Sequence, residues 1–168
     1  GDSIGNVFQG HPDTLSVTVD EIIYHSQAVS RGLSGPLLVA DMPFLSSQIS
    51  EEDIKRNAGR LIKEGRAAAV KIEVQAAQAH YVKAVVDMGI PVMAHIGFTP
   101  QFIHQLGGYK VQGRDPEHAK ALVELAKQLD DMGVFSILLE LVPQSVSKAV
   151  TEAISVPSIG IGAGPHCD

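Results

Sequence analysis

Cysteine is almost missing from this chain. Cys167 is the only one in 168 residues, so no internal disulfide can staple the fold, and a reducing compartment such as the cytoplasm is the expectation. Tryptophan is absent and aromatic residues make up 5%, against 45% hydrophobic residues overall, so the core must be built from Val, Ile, Leu and Ala. Basic charge is also scarce. Thirteen Lys and Arg stand against 19 Asp and Glu, giving a formal net charge of −6, and no basic run offers a surface to nucleic acid or to an anionic membrane. No apolar run approaches the roughly 20 residues that span a bilayer. Gly1-Asp2-Ser3 shows neither the charged nor the apolar region of a leader peptide. The loop-like opening and the Gly162-Ala163-Gly164-Pro165-His166-Cys167-Asp168 ending read as the ends of a fragment of a longer chain.

Regular alternation is what the sequence does have. After a loop over residues 1–15, Thr18 with Glu21 three positions on forms a capping box. It opens a helix with a Val19, Ile22, Ile23, Val29 stripe that ends at Gly32. Residues 36–43 form a short buried strand that finishes on Asp41. Ser50 and Asp53 cap a second helix with a stripe of Ile54, Ala58, Leu61 and Ile62, stopped by Gly65. The next strand, Ala68-Ala69-Val70-Lys71-Ile72-Glu73, leads to a helix over 77–88, a strand over 90–97 ending on His95-Ile96-Gly97, and a long insertion over 98–114. Asp115-Pro116 opens another helix as N-cap and N1. The strand over 135–141 carries Glu140, and a final helix and a strand over 156–162 complete the chain. Helices alternating with short apolar strands imply a parallel α/β sheet, five strands of it, with the opening loop placed as the exit of a sixth. Periodicity leaves open whether that sheet closes.

The reactive side chains of the strands are not scattered. Asp41, Lys71 with Glu73, His95 and Glu140 lie at the C-terminal ends of consecutive strands. Parallel strands bring such ends to one rim, where barrels and open α/β sheets hold their sites. Each residue alone is better explained as a cap, a salt bridge or a satisfied core group; four consecutive strands together argue for a shared site. Lys71 and Glu73, two apart, share a face. Inward pointing puts both in the site and Ile72 under the helices; outward pointing reverses this. Asp2 and Asp41 offer hard oxygen ligands suited to Mg²⁺, with no Cys or His set of zinc spacing. Lys71 can neutralise an oxyanion. Glu140, beside Leu139, Leu141 and Val142, has an apolar setting that strengthens a carboxylate as a base. A metal, a cation and a base together fit proton abstraction α to a carbonyl.

With these residues laid out, the chain resembles the ketopantoate hydroxymethyltransferase family. The matching motifs run in order along nearly the whole chain. They are Gly1-Asp2-Ser3; Gln9-Gly10-His11 through Tyr24-His25; Ala40-Asp41-Met42-Pro43-Phe44; Val70-Lys71-Ile72-Glu73; His95-Ile96-Gly97-Phe98-Thr99-Pro100-Gln101; Gly107-Gly108-Tyr109-Lys110-Val111-Gln112-Gly113-Arg114; Glu140-Leu141-Val142-Pro143; and Ile159-Gly160-Ile161-Gly162-Ala163-Gly164.

The resemblance implies an α/β fold of the (β/α)₈ TIM-barrel type, here a single incomplete domain over 1–168 lacking its first and last βα units. It implies Mg²⁺ and 5,10-methylenetetrahydrofolate, whose hydroxymethyl group passes to 3-methyl-2-oxobutanoate to give 2-dehydropantoate for pantothenate synthesis. On the family pattern Asp2, Asp41 and Glu73 belong to the metal, while Ser3, Asp41, Lys71 and His95 hold the 2-oxo acid. Glu140 takes the C3 proton. A cytoplasmic homo-oligomer, a decamer, is implied too, with no nucleic-acid or membrane partner. Val74-Gln75 depart from the family's Gly-Gly and are expected to crowd the loop beside the metal. Ala94 and Arg66 also stand where smaller residues are usual. Two alternatives remain: a Mg²⁺-dependent 2-oxo acid barrel enzyme of the phosphoenolpyruvate-mutase and isocitrate-lyase kind, and a truncated, non-catalytic homologue.

Overall fold

The computed structural model describes all 168 residues. Five strands, β1 (Val39–Asp41), β2 (Ala69–Glu73), β3 (Val92–Gly97), β4 (Ser136–Glu140) and β5 (Ser158–Ile161), form one parallel sheet in the order β1-β2-β3-β4-β5. Consecutive strands pair as neighbours through a helical crossover, the winding of a (β/α) barrel wall.

Helices begin where capping chemistry starts them. Helix α1 (Ile4–Val7) is a single turn, and α2 (Val19–Gly32) opens on the capping box of Thr18 and Glu21. The Ser50 hydroxyl accepts the Asp53 N–H at 3.1 Å and opens α3 (Glu51–Lys63). After a 3₁₀ turn at Ala76–Gln78 come α4 (Ala79–Val86), a second 3₁₀ turn at Pro100–Phe102, and α5 (Ile103–Leu106). Asp115 accepts the His118 N–H at 2.8 Å ahead of α6 (Pro116–Asp131), and α7 (Gln144–Ala153) precedes β5. Gly65 follows the end of α3, where a Cβ would lie 2.5 Å from the Leu61 carbonyl oxygen, so only glycine fits without a shift.

The structure corrects several boundaries. The opening stretch is not all loop, since it contains α1. The helix expected over 77–88 is broken into the 3₁₀ turn and α4, and the long insertion carries α5. Val29 does not join the α2 stripe: it is 47% exposed, and the buried positions are Ile22, Ile23 and Ser26. The 36–43, 135–141 and 156–162 strands pair only at their middles, while the 68–73 and 90–97 strands lose residues at the start alone. The 36–43 strand shrinks to three residues, and Pro43, without an amide hydrogen, ends the ladder just after the Met42 N–H donates to the Lys71 carbonyl at 3.0 Å.

Alternation divides the sheet into two faces. Ala40, Val70, Ile72, Ala94, Ile96, Ile137 and Leu139 turn to the helices and are buried to 3% exposure or less, inside a core of 30 residues. Asp41, Lys71, Glu73, His95 and Glu140 turn to the opposite face.

Candidate active site

Strand register sets the site. Asp41 pairs with Lys71, Glu73 with His95, and Gly97 with Glu140, so the polar residues of four strands climb the same face in two-residue steps toward the C-terminal rim. The N-terminal segment closes over them, with the Asp2 N–H donating to Asp41 Oδ2 at 3.2 Å. Together they line a cavity of about 160 Å³ with Ser3, Pro100, Leu138 and Ile161. Ile72, between Lys71 and Glu73, is 3% exposed and packs in the helix-side core. The inward phase of this strand is therefore the observed one.

A chain of polar contacts crosses the cavity. Lys71 Nζ lies 2.8 Å from Asp41 Oδ1 and 3.3 Å from His95 Nδ1. An ammonium has only protons to offer, so Nδ1 accepts and the neutral imidazole carries its hydrogen on Nε2. That Nε2 lies 3.3 Å from Glu140 Oε2. Ser3 sits exposed at the lip, at the N-terminal end of α1.

Burial sets the charges. It would raise the Asp41 pKa, but the Lys71 ammonium more than offsets it and holds Asp41 below its usual value. For Lys71 burial favours the neutral amine, and Asp41 and Glu73 overcome it, so the pKa rises and the ammonium persists. His95 is pushed down by burial and by Lys71, against the pull of Glu140, which keeps the ring neutral near pH 7. Asp2 is pushed up to about 7, first by burial and then by the charge on Asp41. Burial raises Glu73 well above the ordinary carboxylate range.

Those raised carboxylates bear on the expected metal. As the side chains stand, no three His, Cys, Asp or Glu residues converge tightly enough to hold an ion. The donor chemistry nevertheless fits. Asp2, Asp41 and Glu73 supply hard oxygens only. Buried Glu73 Oε1 lacks a hydrogen-bond donor. Asp2 is destabilised as an anion beside Asp41, the charge imbalance that a divalent cation removes.

Two sequence expectations change here. Leu139 does not surround Glu140: it turns to the helix side, and Leu141 bends away with a positive φ of 46°. Glu140 instead faces His95 with its side chain 18% exposed. The deeply desolvated carboxylate is Glu73, whose side chain is 1% exposed. Val74-Gln75 do not crowd the carboxylates either. Val74 drops into the helix-side core at 2% exposure, and Gln75 Nε2 donates to Thr99 Oγ1 at 2.8 Å. The residue that the sequence reading passed over is Gln101. It is 2% exposed, and its side chain reaches Asp2 while its backbone reaches Glu73. The only signal was its place in the Thr99-Pro100-Gln101 motif; a Gln after a strand carries no chemical mark of its own.

Relatives sharpen this picture. The chain is 54% identical over all 168 residues to 3-methyl-2-oxobutanoate hydroxymethyltransferase of Geobacter metallireducens, and spans 63% of that protein's length. Among solved structures, 95% of the chain superposes on 66% of a putative phosphonomutase from Burkholderia cenocepacia, with a TM-score of 0.72 at 13% identity. Oxaloacetate acetylhydrolase in complex with 3,3-difluorooxalacetate matches with a TM-score of 0.67 at 17% identity, over 95% of this chain and 57% of that one. At such identities the two structures show a shared fold alone. The family model of ketopantoate hydroxymethyltransferase matches residues 1–168 from end to end, and the chain belongs to that family.

Proposed function

We propose that this chain carries the catalytic rim of a 3-methyl-2-oxobutanoate hydroxymethyltransferase. The reaction joins a one-carbon unit from 5,10-methylenetetrahydrofolate to C3 of 3-methyl-2-oxobutanoate. Water supplies the hydroxyl oxygen, tetrahydrofolate leaves, and 2-dehydropantoate forms on the way to pantothenate. The observation that carries this reading is the convergence of Asp2, Asp41, Lys71, Glu73, His95 and Glu140 on one small cavity from four strands and the N-terminal segment.

Each residue has a task that its surroundings support. Asp2 and Asp41, with Glu73 behind them, would hold Mg²⁺, which when bound draws electron density from the 2-oxo group and acidifies C3. Lys71 stays charged beside Asp41 and binds the acid's carboxylate, with Ser3 as a hydroxyl partner at the lip. Glu140 removes the C3 proton. His95, neutral with its hydrogen on Nε2, lies 3.3 Å from Glu140 and lines the substrate side of the cavity without competing as an acid. A cytoplasmic homo-oligomer, decameric as the family resemblance implies, is part of the same proposal.

The test is C3 hydrogen–deuterium exchange of 3-methyl-2-oxobutanoate in D₂O, followed by NMR in the full-length protein without folate. Glu140→Gln keeps size and removes basicity, so exchange is expected to fall by roughly 10²–10⁴-fold, the usual worth of a positioned base. Mg²⁺ and keto acid should bind nearly as before. Exchange at the wild-type rate would remove Glu140 from the role. Product formation that requires 5,10-methylenetetrahydrofolate separates this reading from a mutase or lyase on the same barrel and from a non-catalytic homologue.

A further inference from the structure

Gln101 sits in the 3₁₀ turn that follows β3, and it meets three separate parts of the site. Its side-chain Nε2 donates to Asp2 Oδ2 at 3.0 Å and to the Met42 carbonyl oxygen at 2.8 Å. Its Oε1 accepts from Gln48 Nε2 at 3.0 Å. Its backbone N–H donates to Glu73 Oε2 at 2.9 Å. Both amide hydrogens and the amide oxygen are therefore engaged. The orientation is not interchangeable, because the Met42 carbonyl presents only an acceptor and demands the nitrogen. One residue thus ties the N-terminal segment, the end of β1 next to Asp41, and the end of β2.

We propose that Gln101 is the positioning residue of the carboxylate cluster: it fixes Asp2 and Glu73 in place and so sets the affinity of the site for a hard divalent cation. The inference rests on the metal reading given above. The geometry suits such a role. Gln101 occupies one oxygen of Asp2 and one of Glu73, and leaves Glu73 Oε1 buried without a hydrogen-bond partner. A neutral amide can hold a carboxylate without cancelling its charge, whereas Lys or Arg at this position would compete with the cation. Outer partners that orient metal ligands are worth about 10–100-fold in metal affinity.

The experiment is a titration of the full-length protein with Mn²⁺, followed by electron paramagnetic resonance of the free ion, and with Mg²⁺ by calorimetry. Gln101→Met keeps the length of the side chain and the backbone N–H to Glu73 but deletes the amide. Its dissociation constants are expected to rise about 10-fold or more, while near-UV circular dichroism stays native. A native-like Gln101→Met protein with wild-type affinity for both ions overturns the proposal, because a purely structural glutamine would change melting temperature and leave ion affinity alone. If that variant does not fold, Gln101→Asn keeps the amide and withdraws it by one methylene. It is expected to weaken ion binding in the same direction, and unchanged affinity there overturns the proposal equally. Asp41→Asn separates the two levels of inference. If the wild-type protein takes up no ion, or takes it up as well after Asp41→Asn, the metal reading itself fails and this inference falls with it. Ion binding lost in Asp41→Asn but untouched in Gln101→Met removes Gln101 alone.

Discussion

At Asp2 burial and charge pull against each other. Its pKa moves from 3.8 to about 7, raised by burial and by Asp41. Between those values the folded state holds a proton that the unfolded state has released. Stability without metal is therefore expected to fall as pH rises from about 4 to 7, by on the order of 4 kcal/mol at most. Asp2→Asn should flatten that slope in urea unfolding measured in EDTA; an unchanged slope would assign the pH dependence elsewhere. Lys71 works in the opposite sense. With its side chain 17% exposed, and that of Asp41 5% exposed, it neutralises the cluster. Lys71→Met leaves buried carboxylates without a cation and is expected to cost about 3–5 kcal/mol in chemical denaturation. Loss below 1 kcal/mol would show that the ion pair is not needed to bury Asp41. Which residues gather at the rim was legible from their types and their places at strand ends. That His95 is neutral with a defined tautomer was not, since it depends on Lys71 from another strand.

At the level of elements, β3 and its exit matter most, because they carry His95 and lead into Gln101. Gly97 has a φ of +90°, and a Cβ there would meet the Glu140 carbonyl oxygen at 2.5 Å and Val142 Cγ1 at 2.8 Å. Gly97→Ala is thus expected to add roughly 1–3 kcal/mol of backbone strain and to displace Glu140, lowering both melting temperature and C3 exchange. A variant stable and active as wild type would show that the β3–β4 contact yields freely. The helix starts are a gentler test. Thr18→Ala removes half of a capping box and should destabilise by about 1 kcal/mol, with no effect on exchange, because α2 packs outside the sheet. Caps at Thr18, Ser50 and Asp115 were readable because they use local chemistry. The break between the 3₁₀ turn at Ala76–Gln78 and α4, and the exposure of Val29, were not: both depend on what packs against the helix, and apolar periodicity alone cannot supply that.

Across the whole molecule, the sheet has two edges, β1 and β5. Ile159 and Ile161 on β5 are 42% and 48% exposed, and Leu37 beside β1 is 58% exposed. On β5 the Ser158 N–H is taken by Asp168 Oδ2 at 2.9 Å, but the rest of the two edges is open, and open edges with apolar side chains are templates for association. The 168-residue chain on its own is expected to run heavier than its 17.8 kDa in light scattering, increasingly so with concentration. Ile161→Lys should reduce that association. A clean monomer at high concentration would show that the edges are tolerated as they stand. No helix is long and apolar enough to cross a membrane.

Sequence by itself determined the alternation of helix and strand, the helix caps, the strand ends that carry Asp41, Lys71, Glu73, His95 and Glu140, and the family. These follow from short-range rules: periods of 2 and 3.6, capping side chains, and motifs contiguous in the chain. Only the tertiary structure decided the charges and contacts inside the rim. Asp2 meets Asp41 across 39 positions, and Gln101 meets Asp2 across 99. Burial and neighbouring charge act through space, so the raised carboxyls of Asp2 and Glu73, the exposure of Glu140 beside His95, and the linking role of Gln101 appear only once the strands are in register.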